Sequence, residues 1–296
     1  MKLTNLNHLP IPFQRAIQED TYDGGTITDV SATRIIDSPR VSKLAREYYS
    51  EMEHDANRNV MAMLGTAVHN IMEEHSPEDW KVEERLFATI PTPNGDKVLS
   101  GQIDALEPVK NGVIIHDYKV MTAWKFKTDF KGFEKQGNIY AYLLRKNGYN
   151  PVGFNIWGFV RDWAESYAKR DEAYPQTIWN KIPLPLWDEE ECERYVLERA
   201  SLHFSDELHE CTPEEMWCSD AKFEVKQKGH TRATKLFDSE NEANDWVAEK
   251  VITDTKPKNW VISQRPVVRR RCEANWCGVA EWCDQFKKYK GEEDGV

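Results

Sequence analysis

The sequence has no apolar run approaching the roughly 20 residues needed to cross a bilayer, and its first residues, Met1 to Phe13, lack the basic and apolar regions of a signal peptide. The expectation is a cytoplasmic protein that does not meet a membrane. Cationic excess is also missing. Lys and Arg number 39 against 50 Asp and Glu, a net charge of −11. That balance argues against a general nucleic-acid coat, whose affinity comes from phosphate neutralisation, although it leaves room for a local basic track. There is no G-x-x-x-x-G-K-[ST] phosphate loop, so an ATP-driven motor of that kind is excluded. Internal repeats and low-complexity tracts are absent. Cysteine is absent before Cys192, and the six cysteines from there on are not expected to form disulfides in a reducing compartment.

What is present suits a soluble globular protein: 296 residues, 40% hydrophobic and 30% charged, enough to bury a sizeable core. The reading is one domain over 1–296, with a helical lead-in at 25–60, a core at about 60–165, and a C-terminal elaboration at 185–290. Three short runs, about Lys81 to Ile90, Val98 to Leu106 and Val113 to Val120, are separated by Asn94-Gly95 and Asn111-Gly112. Alternation with Asn-Gly turns predicts an antiparallel meander. Residues at i and i+2 share a strand face, so Asp117 and Lys119 point the same way, and Asp104 in the neighbouring strand can join them. Two carboxylates hold a hard cation such as Mg²⁺, and an adjacent lysine can orient or deprotonate a water beside it. A lone D-x-K is more commonly a Lys–Asp pair on a solvated strand.

The flanks change that balance. Upstream, Gly65-Thr66-Ala67-Val68-His69 lies in a helix from about Val60 to Glu74, where His69 could add an imidazole ligand and the small Gly65 would let the helix lie close to the sheet. Downstream, Gln136 and Tyr140 are four apart in a helix from about Phe133 to Lys146 and share one face. The ordered set of His69, Gly101 to Asp104, Asp117 to Lys119, and Gln136 to Tyr140 resembles the PD-(D/E)XK nuclease superfamily, in the branch of the RecB nuclease domain, AddB and the CRISPR-adaptation nucleases. The resemblance covers about residues 60–165. It implies an α/β fold with a restriction-endonuclease-like core, a mixed central sheet flanked by helices, and a C-terminal cysteine-bearing extension. It further implies hydrolysis of DNA, from ends rather than at internal sites. His69, Asp104, Asp117 and the Tyr118 carbonyl would bind Mg²⁺ or Mn²⁺, with Lys119 at the attacking water and Gln136 and Tyr140 orienting the strand. The imidazole favours the softer Mn²⁺. A compact nuclease without a motor suits phage recombination or replication, or end-trimming, with a single-strand annealing or replication protein as partner. The rival readings are a catalytically silent DNA-binding scaffold, a structure-specific endonuclease, or an enzyme acting on RNA or modified nucleotides.

Elsewhere, Ser31 is the expected N-cap of a short helix that Pro39 interrupts, with helical periodicity resuming from Val41 to about His54. Glu83 and Glu84 lie on the first strand of the meander, where one could face the cleft, but both read as edge-strand charges that discourage aggregation. His116 reads as structural. Pro151 to Val160 predicts a further strand and Asp188 to about Leu208 a long charged helix. Ala221 to Phe237 reads as a basic strand–turn–strand, either solvated or touching a DNA backbone, and Arg269-Arg270-Arg271 is a second basic candidate.

Cys272, Cys277 and Cys283 are separated by four and then five residues, a density of thiols that usually binds a soft or borderline metal. They resemble the C-terminal triplet that carries a [4Fe–4S] cluster in AddB and the CRISPR-adaptation nucleases, with a wider first interval. The fourth cysteine of those proteins precedes the core, where this chain has none. Cys211 or Cys218 would substitute, Cys211 being preferred. Zn²⁺ and free buried thiols are the alternatives. Either metal would clamp the C-terminal tail.

Overall fold

The computed structural model describes residues 2–6, 8–18, 27–253 and 258–294. The chain divides into two compact units, 1–209 and 210–296. The reading of one domain with an elaboration from 185 differs here, because the long helix after that point packs with the first unit.

The first unit runs β1 (Lys2–Thr4), α1 (Ile11–Gln18), β2 (Val30–Ser31), α2 (Ala32–Ile36), α3 (Pro39–Glu47), β3 (Glu53–Asp55), α4 (Val60–Glu74), β4 (Lys81–Ile90), β5 (Lys97–Val109), β6 (Gly112–Met121), α5 (Lys131–Lys146), β7 (Pro151–Val160), α6 (Glu165–Ala168), β8 (Trp179–Leu184) and α7 (Glu189–His203). The fold is α/β, with a mixed sheet flanked by helices. The meander expected from the Asn-Gly turns is β4–β5–β6, all antiparallel. α5 then crosses over to place β7 parallel to β6, and β8 closes the far edge antiparallel to β7.

One feature of the pairing opens the sheet. β4 lines one edge of β5 from Lys97 to Leu106. On the other edge, β2 pairs only at Leu99 and Ser100, and β6 only from Ala105 onward. Among the described residues no strand therefore pairs with Gly101 to Asp104 on that edge, just where β6 swings away to follow β7.

The core gathers Leu99, Ile103, Leu106 and Ile115 of the sheet under Ile139, Leu143 and Leu144 of α5, with α2 and α7 closing over them. α5 can sit so low because Gly101 and Gly137 lack a Cβ. One at Gly101 would fall 2.7 Å from Leu143 Cδ1, and one at Gly137 would fall 2.0 Å from Phe154 Cε1. Gln102, next to Gly101, instead lines a cleft with α4, so α4 covers the opposite sheet face. α4 contributes no buried residue, and Met61, Leu64 and Ile71 on it are exposed. The expectation that Gly65 brings this helix close to the sheet is not met: nothing lies within 4 Å of its missing Cβ.

Other boundaries differ too. Pro39 begins a helix instead of interrupting one, at the N-terminal position where its missing N–H costs nothing, behind Ser38, whose hydroxyl accepts from Val41 N–H. That helix stops at Glu47, because Glu53–Asp55 pairs parallel with Lys2–Thr4. Residues 2–18 hold β1 and α1, and residues 19–26 lie outside the described ones. Ser31 and Asp188 are N-caps of α2 and α7. No helix among the described residues is long and apolar enough to cross a membrane.

The second unit has β9 (Lys222–Gln227) between β10 (Lys235–Phe237) and β11 (Trp260–Arg265), both antiparallel to it, with α8 (Glu240–Thr253) packed on the sheet. The basic strand–turn–strand is β9–β10. α9 (Arg270–Glu273) and α10 (Asp284–Asp294) follow.

Candidate metal centre and thiol cluster

At the opening beside Gly101–Asp104, the β4–β5 register passes from Val82↔Ala105 to Glu84↔Ile103, so Glu83 stands opposite Asp104. The β5–β6 ladder ends at Ala105↔His116, which makes Asp104 and Asp117 the next facing positions as the strands part. Register thus sets carboxylates of three adjacent strands at neighbouring positions. Glu83 reaches it through a left-handed backbone, φ 50°, a conformation that costs a non-glycine residue about 1–3 kcal/mol and concentrates at functional sites. Reading Glu83 as an edge charge misses this.

His69 comes from α4. Its Nε2–H donates to the Tyr118 carbonyl at 2.9 Å, which turns Nδ1 toward Asp104 Oδ1 at 3.6 Å and Glu83 Oε1 at 3.9 Å. One ligand atom from each of His69, Glu83 and Asp104 lies within 4.8 Å of the others, a spacing that could hold a metal ion. The Tyr118 carbonyl, expected as a ligand, instead fixes the imidazole, a common arrangement for orienting a ligating histidine. The Tyr118 N–H donates to Asp104 Oδ2 at 2.6 Å. Glu83 Oε2 accepts from Gln102 Nε2, and Gln102 Oε1 accepts from Arg85, so a polar relay braces the strained glutamate.

Asp117 is 1% exposed. Lys119 Nζ is 2.5 Å from its Oδ2, a charge contact more than an aligned hydrogen bond, and Oδ1 has no hydrogen-bond partner among the described residues. A buried carboxylate oxygen left this way calls for a cation. The titration directions agree. Burial, then Asp117, pushes the Asp104 carboxyl up to about 7 against the pull of Lys119 and His69. Glu83 is the main influence raising His69, opposed by burial and helped by Asp104. Burial pushes Lys119 down, but Asp117 and Asp104 outweigh it and keep the ammonium charged above its ordinary value. A cleft of about 490 Å³ leads in, lined by Gly65, Thr66, His69, Glu83 and Gln102 among others.

Gln136 and Tyr140 share one face of α5, but both are buried and bonded to each other, Gln136 Nε2 donating to Tyr140 Oη at 2.7 Å. Tyr140 also borders a small recess with Ser31, Thr33, Arg85 and Gln102. His116 is structural: Nε2 is 2.9 Å from Glu107, Nδ1 accepts from Trp157 Nε1, and Trp80 stacks on the ring at 4.8 Å. Glu84 meets Lys81 and accepts from Tyr149.

In the second unit, burial and then the neighbouring Cys277, Cys211 and Cys283 push the Cys272 thiol up to about 12. Those four sulfurs therefore share one locality. Gln285 ties the Cys211 backbone there, accepting from its N–H at 2.8 Å and donating to its carbonyl at 3.0 Å. Cys218 sits instead by Arg269 and Glu273, and Cys192 is buried against Arg145 in the first unit.

No family model matches the chain, and no curated protein does. Among solved structures it is similar to SSO0001, at 16% identity with a TM-score of 0.44, over 63% of this chain and 82% of that one.

Proposed function

We propose that the chain is a divalent-cation-dependent DNA nuclease built on a PD-(D/E)XK core, acting from strand ends. The observation that carries this reading is the meeting of Glu83, Asp104 and Asp117 with His69 and Lys119 where the strands part. A binding protein has no need of a buried, unpaired carboxylate oxygen beside a charged lysine. His69 Nδ1, Glu83, Asp104 and Asp117 would hold Mg²⁺ or Mn²⁺, the imidazole favouring Mn²⁺. When bound, the cation supplies Lewis-acid neutralisation of a phosphoryl oxygen.

The chain's own groups do the rest. Lys119, kept as an ammonium by its two aspartates, donates to the attacking water or to a phosphate oxygen and holds it in line. Tyr118 fixes the histidine tautomer, and the Arg85–Gln102 relay holds Glu83 in place. Gln136 keeps Tyr140 at the edge of the recess where the strand next to the scissile phosphate would pass. The all-thiol set of Cys211, Cys272, Cys277 and Cys283 suits a [4Fe–4S] cluster, with Zn²⁺ as the alternative, in either case as a staple for the second unit.

Linear single- and double-stranded DNA and a closed single-stranded circle, incubated with Mn²⁺ or Mg²⁺, test this. The wild type degrades the linear DNA and spares the circle, and Lys119→Ala loses activity by at least about a hundredfold. Cutting of the circle would make it an endonuclease. Preference for RNA of the same sequence, or no hydrolysis by anaerobically prepared protein, would overturn the reading.

A further inference from the structure

Two of the four described non-glycine residues with left-handed backbones, Trp217 at φ 53° and Asn275 at φ 58°, lie far in sequence from the metal centre. Asn275 immediately precedes Trp276. Trp217 is 49% exposed and Trp276 68%, yet their rings face one another with centroids 6.5 Å apart at 49°. The backbone is left-handed at both places, at Asn275 as the residue that follows the C-cap of α9, and the two large apolar rings stand out in water.

The surroundings are rigid. A short antiparallel bridge joins Cys218 to Arg269, with Ser219 N–H donating to the Val268 carbonyl at 2.9 Å and Arg271 N–H to the Met216 carbonyl at 3.1 Å. That register sets Trp217 across from Arg270, which is exposed. The Arg271 guanidinium lies over the Trp217 ring, 5.6 Å from its centroid. Cys272 and Cys277 close the loop that presents Trp276, and the Cys277 N–H donates to the Arg271 carbonyl at 2.8 Å. The run Arg269-Arg270-Arg271 lies alongside the segment that carries Glu214, Glu215 and Trp217, with Arg269 paired to Glu273 and Arg270 exposed.

Exposed indoles, the Arg271 guanidinium over one of them and the exposed Arg270 beside it match the chemistry of an unpaired nucleobase on a phosphate backbone. Duplex DNA hides the base faces that indoles stack on. We propose that Trp217, Trp276, Arg270 and Arg271 of the second unit form a stacking platform for single-stranded DNA. The proposal rests on the reading of the chain as a DNA enzyme, and says which form of DNA it grips.

The test measures fluorescence anisotropy of labelled oligothymidylate and of a hairpin-capped duplex, in EDTA so that nothing is cut. Trp276→Ala weakens oligothymidylate binding by roughly five- to a hundredfold, the range of base–aromatic stacking. Trp276→Phe keeps most of the affinity, and duplex binding stays unchanged. Since Trp276 is largely exposed, the variants fold, which far-UV circular dichroism verifies. Unaltered oligothymidylate binding by Trp276→Ala, an equal loss on duplex, or tighter wild-type binding to oligouridylate would overturn the platform. Binding through Trp276 without any cleavage in Mn²⁺ would sink the nuclease reading and leave the platform standing; cleavage with Trp276→Ala binding intact would do the reverse.

Discussion

At Asp104 a carboxyl is buried beside Asp117 and pushed up to about 7. Without a cation, its ionisation therefore works against folding as pH rises through that range, because the folded chain holds a proton that the unfolded chain has released. His203 has the opposite sign. It is 4% exposed and lies 3.1 Å from the Ile35 carbonyl and 3.0 Å from that of Asp37, and burial, followed by Arg199, pushes it from 6.5 down to about 4. Between those values the unfolded chain takes up a proton that the folded chain refuses. Its stabilisation is complete above 6.5 and is lost as pH falls toward 4. The two slopes offset each other in the intact chain, so a difference separates them. The stability lost in His203→Asn, from urea unfolding, is greatest near neutral pH and shrinks by up to about 3 kcal/mol toward acid. A loss that does not vary with pH would show that the ring is not held neutral.

Among the elements, α5 and α4 are seated in contrasting ways. Gly137 meets the Phe154 ring and Gly101 meets Leu143 and Tyr140, so α5 is pressed onto the sheet at positions that admit no side chain. The backbone approach that makes the core also places Tyr140 beside Gly101. Gly137→Ala therefore costs about 1–3 kcal/mol, since the buried Phe154 ring must be displaced. Gly65→Ala on α4 meets nothing within 4 Å and gains up to about 1 kcal/mol from helix propensity. Denaturant midpoints of the two variants check this, and a shift of both in the same direction would contradict the seating described. α4 carries His69 while burying no residue, so its position depends on the Tyr118 carbonyl and the acidic pair more than on packing.

Across the whole molecule, what could be read in the sequence was what is local. Asn-Gly turns between alternating runs mark β4, β5 and β6, and the D-x-K pair and the Gln136–Tyr140 spacing follow from strand and helix periods. Glu83 could not be read that way. An acid on an edge strand usually serves solubility, and only its left-handed φ and its register opposite Asp104, formed across a turn, bring it to the site. The end of α3 was hidden for a similar reason: helical periodicity continues past Glu47, but pairing with the distant Lys2–Thr4 takes the chain away. Cys211 joins Cys272 through the fold, and Gln285 rather than sequence spacing holds it there. The Gly65 expectation failed because a glycine in a helix signals close approach only when something stands opposite it.

The central claim is that the acids of three strands and His69 form a cation site, and calorimetric titration of Mn²⁺ into the intact protein tests it most directly. The account predicts saturable binding by the wild type, lost in Asp117→Asn and weakened by roughly tenfold or more in Glu83→Gln, with Lys119→Ala still binding. Mn²⁺ binding that is absent from the folded wild type, or unchanged in Asp117→Asn, would contradict it.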